Sequence, residues 1–178
     1  MNLTSKWPGV SLTDLLSAKD LRAQRQQAWL TRWQVPLLSL TLVTPGPVKN
    51  SIRYRDTLAA ALQACDKLLW RNGWQTRARE VFWLETGPEA FWSVDHPAIV
   101  LKTALIELEE QHPLGRLWDM DVISPQDGPV SRHTCGLPPR RCLICSEHAH
   151  ACSRSRAHPL EQLTGKVEQT IDNWFRRD

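Results

Sequence analysis

The segment Leu117-Trp118-Asp119-Met120-Asp121-Val122-Ile123 is the last strand of a predicted series of strands and helices, and the order of those elements decides the fold. Its residues alternate between apolar and acidic, as expected of a half-buried strand. Asp119 and Asp121 would share one face of the strand, with Trp118 and Met120 on the other. Two carboxylates on one face suit Mg²⁺, which takes oxygen ligands from proteins and from substrate phosphates. A solvated acidic face without a catalytic role is the alternative.

Apolar periodicity upstream of this strand predicts three helices and three further strands. The helices span residues 12 to about 33, 51 to about 73, and 95 to about 111; the strands span 35–43, 79–86 and 90–94. Pro45-Gly46-Pro47 ends the first strand, and Gly87-Pro88 joins the next two strands in a hairpin. The order between residues 35 and 123 is therefore βαββαβ, the split pattern of a ferredoxin-like sandwich.

The chain has 178 residues, of which 42% are hydrophobic, enough for one sizeable core. We predict a single α+β domain over 1–178, comprising an N-terminal helical segment (1–34), an α/β sandwich core (35–130) and an Arg/Cys/His-rich appendage with a C-terminal helix (131–178). Trp29, Trp70 and Trp83 occupy periodic apolar positions and are predicted to be core residues.

No apolar run reaches the length of a membrane-spanning helix, and residues 1–10 lack the apolar core of a signal peptide. We therefore expect a cytoplasmic protein without a membrane partner. A formal net charge of +3 is too small to indicate a dedicated nucleic-acid-binding protein, and no nucleic-acid partner is predicted.

Arginines concentrate in the appendage, at positions Arg132, Arg140, Arg141, Arg154 and Arg156. The planar guanidinium group matches phosphate oxygens, so this concentration favours a polyanionic ligand. Exposed arginines on a loop, without a ligand, are the alternative.

The turn Pro45-Gly46-Pro47-Val48-Lys49-Asn50 leads from a predicted strand into a predicted helix. Backbone N–H groups at a helix start attract anions, and Lys49 adds a full positive charge. The turn is therefore a candidate phosphate site. A plain strand-to-helix turn with a solvated lysine is the alternative, and it is the favoured interpretation of such a turn taken in isolation.

Four potential metal ligands follow the arginines, in the spacing Cys142-x2-Cys145-x6-Cys152-x5-His158. A tetrahedral structural zinc ion takes such ligands, and His148 or His150 could replace His158. A reduced thiol cluster in a packed loop is the alternative. Five cysteines, an odd number and mostly clustered, do not predict a disulfide framework.

Three blocks of the sequence resemble the apo-citrate lyase phosphoribosyl-dephospho-CoA transferase family, also called holo-citrate lyase synthase. They are the turn at 45–50, the block from His112 to Val122, and the segment 137–158 with its Arg-Arg-Cys-Leu-Ile-Cys core. The resemblance covers nearly the whole chain. It implies a cytoplasmic nucleotidyltransferase-type enzyme of bacterial citrate fermentation, which attaches 2'-(5''-triphosphoribosyl)-3'-dephospho-CoA to a serine of the acyl carrier (gamma) subunit of citrate lyase. Diphosphate is released and a phosphodiester is formed.

Under this hypothesis Asp119 and Asp121 hold Mg²⁺, and Arg116 helps to neutralise the transferred phosphoryl group. The other side chains predicted to bind substrate phosphates are Lys49, Asn50, Arg132, Arg140 and Arg141. The general base stays open, although His112 and Glu110 precede the strand. Two other functions are considered, a small zinc-containing nucleic-acid-binding module and a non-catalytic docking partner of the carrier protein.

Overall fold

A computed structural model describes residues 7–176, which form five α-helices and a five-stranded sheet. The elements are α1 (Leu12–Trp33), β1 (Leu37–Leu42), α2 (Ile52–Arg71), β2 (Gln75–Phe82), β3 (Glu89–Asp95), α3 (Ala98–Gln111), β4 (Trp118–Ser124), β5 (Gly128–Val130), α4 (Ala149–Ser155) and α5 (Leu160–Phe175), with a 3₁₀ turn at Gly115–Leu117. Residues 1–6 and 177–178, which belong to the predicted segments 1–34 and 131–178, lie outside this description.

All neighbouring strands are antiparallel, and their order across the sheet is β2-β3-β1-β4-β5. The two βαβ units are β1-α2-β2 and β3-α3-β4. Their strands alternate in the sheet, because β3 lies between β1 and β2, and β1 lies between β3 and β4. The predicted mixture of helices with one sheet is confirmed. The sequence did not predict β5, whose three residues include a glycine and a proline and are too few for a periodic pattern.

The main core lies between the sheet and the two helices α2 and α3. It contains the α2 residues Leu58 and Cys65, the α3 residue Leu105, and Trp118 and Met120 of β4, all fully buried. Helix α2 begins at Ser51, whose hydroxyl accepts a hydrogen bond from the Tyr54 N–H group, as an N-cap does.

Helix α1 covers part of the opposite face of the sheet. Its N-cap is Ser11, and Leu30 packs against Leu37 of β1 and Phe91 of β3. Because α1 packs on β1 and β3, the outward side chains at the start of β4 stay exposed.

Several predicted boundaries and burials were wrong. Strand β2 is Gln75–Phe82, four residues earlier than predicted, because an edge strand with mostly exposed polar side chains carries no apolar alternation. Asp95 ends β3, and α3 is preceded by Pro97 as its N-cap.

Two predicted core tryptophans are in fact exposed. Trp70 is 81% exposed and Trp83 is 48% exposed, so neither is a core residue. Trp70 follows the buried Leu69, and one residue turns a helix by about 100°.

Trp29 is partly buried against Phe91, with ring centroids 5.5 Å apart, which agrees with its prediction. In residues 7–176, none of the helices combines the length and the hydropathy needed to cross a bilayer.

Candidate active site on the open face of the sheet

Strand β4 places both predicted carboxylates on the open face of the sheet. Asp119 and Asp121 are exposed, whereas Trp118, Met120 and Val122 between and beside them are buried. The predicted alternation is therefore confirmed. On β1, Thr41 and Ser39 are paired with Asp119 and Asp121, and they form the neighbouring part of the same face.

Asp121 has a raised pKa, because partial loss of solvent around its carboxyl group and the adjacent Asp119 charge both disfavour its ionised form. Lys102 and Arg140 act in the opposite direction. A bound cation would favour the ionised form of Asp121, so a carboxyl group in this position next to a second carboxylate suits cation binding.

Two charged residues of α3 hold the edge of β4 next to the aspartates. Strand β5 pairs with β4 only from Val122 onward, so the backbone of Met120 needs other partners. Lys102 Nζ donates to the Met120 carbonyl at 2.6 Å, and the Met120 N–H donates to a carboxylate oxygen of Glu109 at 3.2 Å. Lys102 is 7% exposed and Glu109 is 4% exposed.

Lys102 and Glu109 were not predicted to lie at the site, although their positions in the sequence carry a signal. They are seven residues apart and lie on the same side of α3 as the buried Leu105. Charged residues at core-facing positions of a helix are uncommon and need partners.

Arg140 joins the appendage to β4. Its guanidinium group donates to the Trp118 carbonyl at 2.5 Å and contacts Glu109 at 2.8 Å. Its other terminal nitrogen is 3.8 Å from a carboxylate oxygen of Asp119. The structure therefore brings Arg140, predicted as a phosphate-binding residue, to one of the two predicted metal carboxylates.

Arg116 and Arg132 lie in the same cluster of charges. Arg116 donates to the backbone carbonyl of Arg141, and partial burial together with the Arg140 and Arg132 charges lowers its pKa. Arg132 is paired with Glu109 at 3.1 Å and with Glu110 at 2.9 Å. Two carboxylates thus already balance the positive charge of Arg132, whereas Arg116 donates its hydrogen bond to an uncharged backbone carbonyl.

The Arg141 side chain is directed to its own loop, where it donates to the Ser146 carbonyl at 3.0 Å. Of the two adjacent arginines in the Arg-Arg-Cys block, Arg140 is therefore the one in contact with the aspartate strand.

Lys49 and Asn50 lie in the segment between β1 and α2. Lys49 Nζ donates to the Thr44 carbonyl, just beyond the end of β1, and its pKa is lowered by partial burial and by Lys19 of α1. Asn50 is 3% exposed, and its carbonyl oxygen accepts from Arg55 at 2.8 Å. Its amide nitrogen is buried and has no hydrogen-bond partner among residues 7–176. A buried amide N–H group without a hydrogen-bond acceptor lowers the stability of the fold, unless a ligand supplies the acceptor.

Helix α1 borders the open face on the side of β1 and β3. Gln26 donates to the Ser39 hydroxyl at 3.0 Å, one strand away from Asp121. The buried Glu89 carboxylate holds Arg22 at 2.9 Å and Arg25 at 2.7 Å, which fixes α1 on the sheet.

His112 is not positioned to act at the carboxylates. Its ring packs against Trp118 and Trp174, on the opposite face of β4 from Asp119, and its Nδ1 accepts a hydrogen bond from the Leu114 N–H group at 3.0 Å. Glu110 is paired with Arg132. Both residues considered for a general base are therefore engaged in structural contacts.

The four predicted metal ligands of the appendage come together. The ligand atoms of Cys142, Cys145, Cys152 and His158 all lie within 4.8 Å of one another, so the cluster could hold a metal ion such as zinc. Desolvation raises the pKa of Cys142, but hydrogen bonds from the Cys145 and Ile144 N–H groups and from the neighbouring thiols outweigh it and lower the pKa to about 6.

The open face thus combines two exposed carboxylates with adjacent arginines, a set of groups suited to a metal-bound polyphosphate. The model of the apo-citrate lyase phosphoribosyl-dephospho-CoA transferase family matches residues 10–174, and the chain belongs to this family. A protein of that name from Escherichia coli O1:K1 is 43% identical over 164 residues, which cover 92% of this chain and 90% of the relative. The corresponding protein of Shigella boydii serotype 18 is 42% identical over the same shares. Membership of the family makes the chain an enzyme of the transferase class.

Proposed function

We propose that this chain attaches 2'-(5''-triphosphoribosyl)-3'-dephospho-CoA to a serine of the acyl carrier (gamma) subunit of citrate lyase. The serine oxygen forms a bond to the phosphorus next to the ribose and gives up its proton to water. The bond from that phosphorus to the outer two phosphates breaks, and diphosphate leaves. The product is a phosphodiester, so the reaction is a nucleotidyl-type transfer. The observation that carries this proposal is the exposed Asp119 and Asp121 pair beside Arg140, in a chain of this family.

The residues of β4 fit a magnesium ion. Asp119 and Asp121 are exposed, share a strand face and offer oxygen atoms, which Mg²⁺ prefers. The raised pKa of Asp121 fits a position where a cation is favourable. When bound, Mg²⁺ would neutralise negative charge on the triphosphate of the precursor.

Arg140 and Arg116 would bind the phosphoryl group under attack and the departing diphosphate. Arg140 is held by Glu109 and the Trp118 carbonyl, so its guanidinium is fixed before the ligand arrives. Arg116 lies in the same cluster and adds a second positive charge. Arg132 and Arg141 support these two arginines, Arg132 through Glu109 and Arg141 through its backbone carbonyl.

Lys49 and Asn50 would bind phosphates beyond the end of β1. The lowered pKa of Lys49 supports this assignment. So does the amide nitrogen of Asn50, which is without a partner in the part of the chain that the structure describes, because both groups gain from an anionic acceptor. The diphosphate of dephospho-CoA is the second phosphate group of the precursor and the ligand we assign to this end.

The interleaved strand order supports a ferredoxin-like classification of β1 to β4, with β5 as an added edge strand. The family resemblance supports a cytoplasmic location.

The proposal is tested by the intact mass of apo carrier subunit after incubation with this protein, the triphosphoribosyl precursor and Mg²⁺. We expect a mass increase equal to the precursor less diphosphate, absent when EDTA is added and restored by excess Mg²⁺. Tandem mass spectrometry should place the added group on a serine.

An unmodified carrier, with folded proteins and an intact precursor, would overturn the proposal. Binding of the carrier without modification would favour the docking function instead. Salt-sensitive binding of a DNA or RNA duplex would favour the nucleic-acid-binding module.

A further inference from the structure

The Cys/His cluster at Cys142, Cys145, Cys152 and His158 has the dimensions of a tetrahedral metal site. Zinc–sulfur bonds of about 2.3 Å place two thiolates of one tetrahedron about 3.8 Å apart. The Cys145 and Cys152 sulfur atoms are 3.5 Å apart, and all four ligand atoms lie within 4.8 Å of one another. Only small adjustments of these distances are needed to surround an ion.

A buried polar atom without a partner gives a second indication of a ligand. His158 Nε2 is buried and makes no hydrogen bond within the described chain. Leaving such a nitrogen unsatisfied destabilises the fold, and metal coordination removes this cost. The Ile144 N–H group donates to the Cys142 sulfur at 3.4 Å, a contact that stabilises a thiolate.

The local backbone delivers the fourth ligand. Helix α4 carries Cys152, and Arg156 at its C-terminus adopts a left-handed conformation with φ of 50°. The Ala157 N–H group then bonds back to the Cys152 carbonyl, so the chain reverses and His158 returns to the cluster. His148 and His150, the alternatives considered from the sequence, are exposed and do not belong to this cluster.

The cluster is directly connected to the candidate active site. The Arg140 carbonyl accepts from the Ala149 N–H group at 2.9 Å, and the Cys142 N–H group donates to the Glu147 carbonyl at 2.7 Å. These bonds close the loop that carries the first two ligands. Arg140 precedes Cys142 by two residues and contacts Asp119, Glu109 and the Trp118 carbonyl.

We propose that Cys142, Cys145, Cys152 and His158 bind a structural zinc ion, and that this ion holds Arg140 against the aspartate strand. The binding of zinc is independent of the transfer reaction. Only the importance of the Arg140 position for transfer rests on the proposed function.

The first experiment measures metal content and coordination. Protein purified without chelators should contain about one zinc ion per chain. Cobalt exchanged into the site should show the visible absorption of a tetrahedral thiolate complex. C142S and H158A should lose the metal, whereas H158C should retain it because thiolate replaces imidazole as a ligand.

H148A, H150A and C135S are the matched controls, since they remove a ligand-type residue outside the cluster. They should keep the full metal content. Folded reduced wild-type protein that binds neither zinc nor cobalt would overturn the proposal. So would C142S and H158A proteins that keep the full metal content.

The second experiment follows the link to Arg140 without using transfer activity. A zinc-selective chelator, with Mg²⁺ in excess, should speed tryptic cleavage after Arg140 or Arg141 by at least ~10-fold, because cleavage follows the population of the opened loop. Added zinc should restore protection in wild type and in H158C, but not in H158A. Unchanged cleavage after verified zinc removal would refute the link to Arg140, whatever the carrier assay shows.

Discussion

Gly115 lies against the backbone of Glu109, so closely that a Cβ atom on it would be 2.0 Å from the Glu109 carbonyl oxygen. The 3₁₀ turn that leads into β4 therefore crosses the end of α3 at a distance that only glycine permits. This contact sets where β4 begins, and with it the position of Asp119.

G115A should consequently destabilise the protein by about 2–3 kcal/mol or more, since the backbone of α3 or of the turn has to move. Urea denaturation measures this loss. The matched control is G165A in α5, where an added Cβ meets nothing within 4 Å. Replacing a helical glycine by alanine there should raise stability by about 0.5–1 kcal/mol. Equal stability of the two variants would contradict the assigned role of Gly115.

The buried Glu109 carboxylate should be the more important member of the adjacent Glu109 and Glu110 pair. E109Q leaves Arg132 and Arg140 without their shared buried partner, and we expect a loss of about 3 kcal/mol in the free energy of unfolding. E110Q removes a partner whose side chain is 59% exposed, and it should cost less than about 1 kcal/mol. Denaturant unfolding of both variants checks the prediction, which fails if their losses are similar.

Removal of either carboxylate from the open face should affect transfer far more than folding. D119N and D121N should lower the turnover of carrier modification by at least ~10²-fold, by comparison with the loss of one electrostatic stabiliser in other enzymes. Their thermal midpoints should stay close to that of wild type, because both side chains are exposed. D56N, on the exposed side of α2, is the control and should keep full activity. Near-normal turnover in D119N and D121N would rule out their role as metal ligands.

His112 should make stability depend on pH. Burial lowers the pKa of His112 from an ordinary value of 6.5, so the unfolded chain takes up a proton more readily than the folded chain. The contribution of neutral His112 is therefore fully present above about pH 6.5 and is lost as the pH falls below that value. Protonation also removes the acceptor of the Leu114 N–H group.

Urea midpoints measured between about pH 7.5 and 5.5 test this effect. H112N keeps an acceptor near the Leu114 N–H group but does not titrate, so its stability should decline less over this interval. An equal decline in wild type and H112N would assign the pH dependence to other groups.

The alternation along β4 was predictable because it depends only on neighbouring residues. Side chains at positions 119 and 121 must share a face once the segment is a strand, whatever the rest of the fold. The spacing of Cys142, Cys145, Cys152 and His158 also identified the four residues that come together as potential ligands, although it left His148 and His150 open. The edge strand β2 was placed four residues too late because its exposed side chains are not constrained to alternate.

The sequence by itself thus determined the strand with two carboxylates, the succession of βαβ units and the four clustered Cys and His residues, since each depends on local periodicity or spacing. Only the tertiary structure decided that Arg140, and not Arg141, contacts the aspartate strand, and that Glu109 and Lys102 support it. Those contacts join residues far apart in the chain. They depend on the close crossing at Gly115 and on the path of the appendage, and no local pattern encodes either of them.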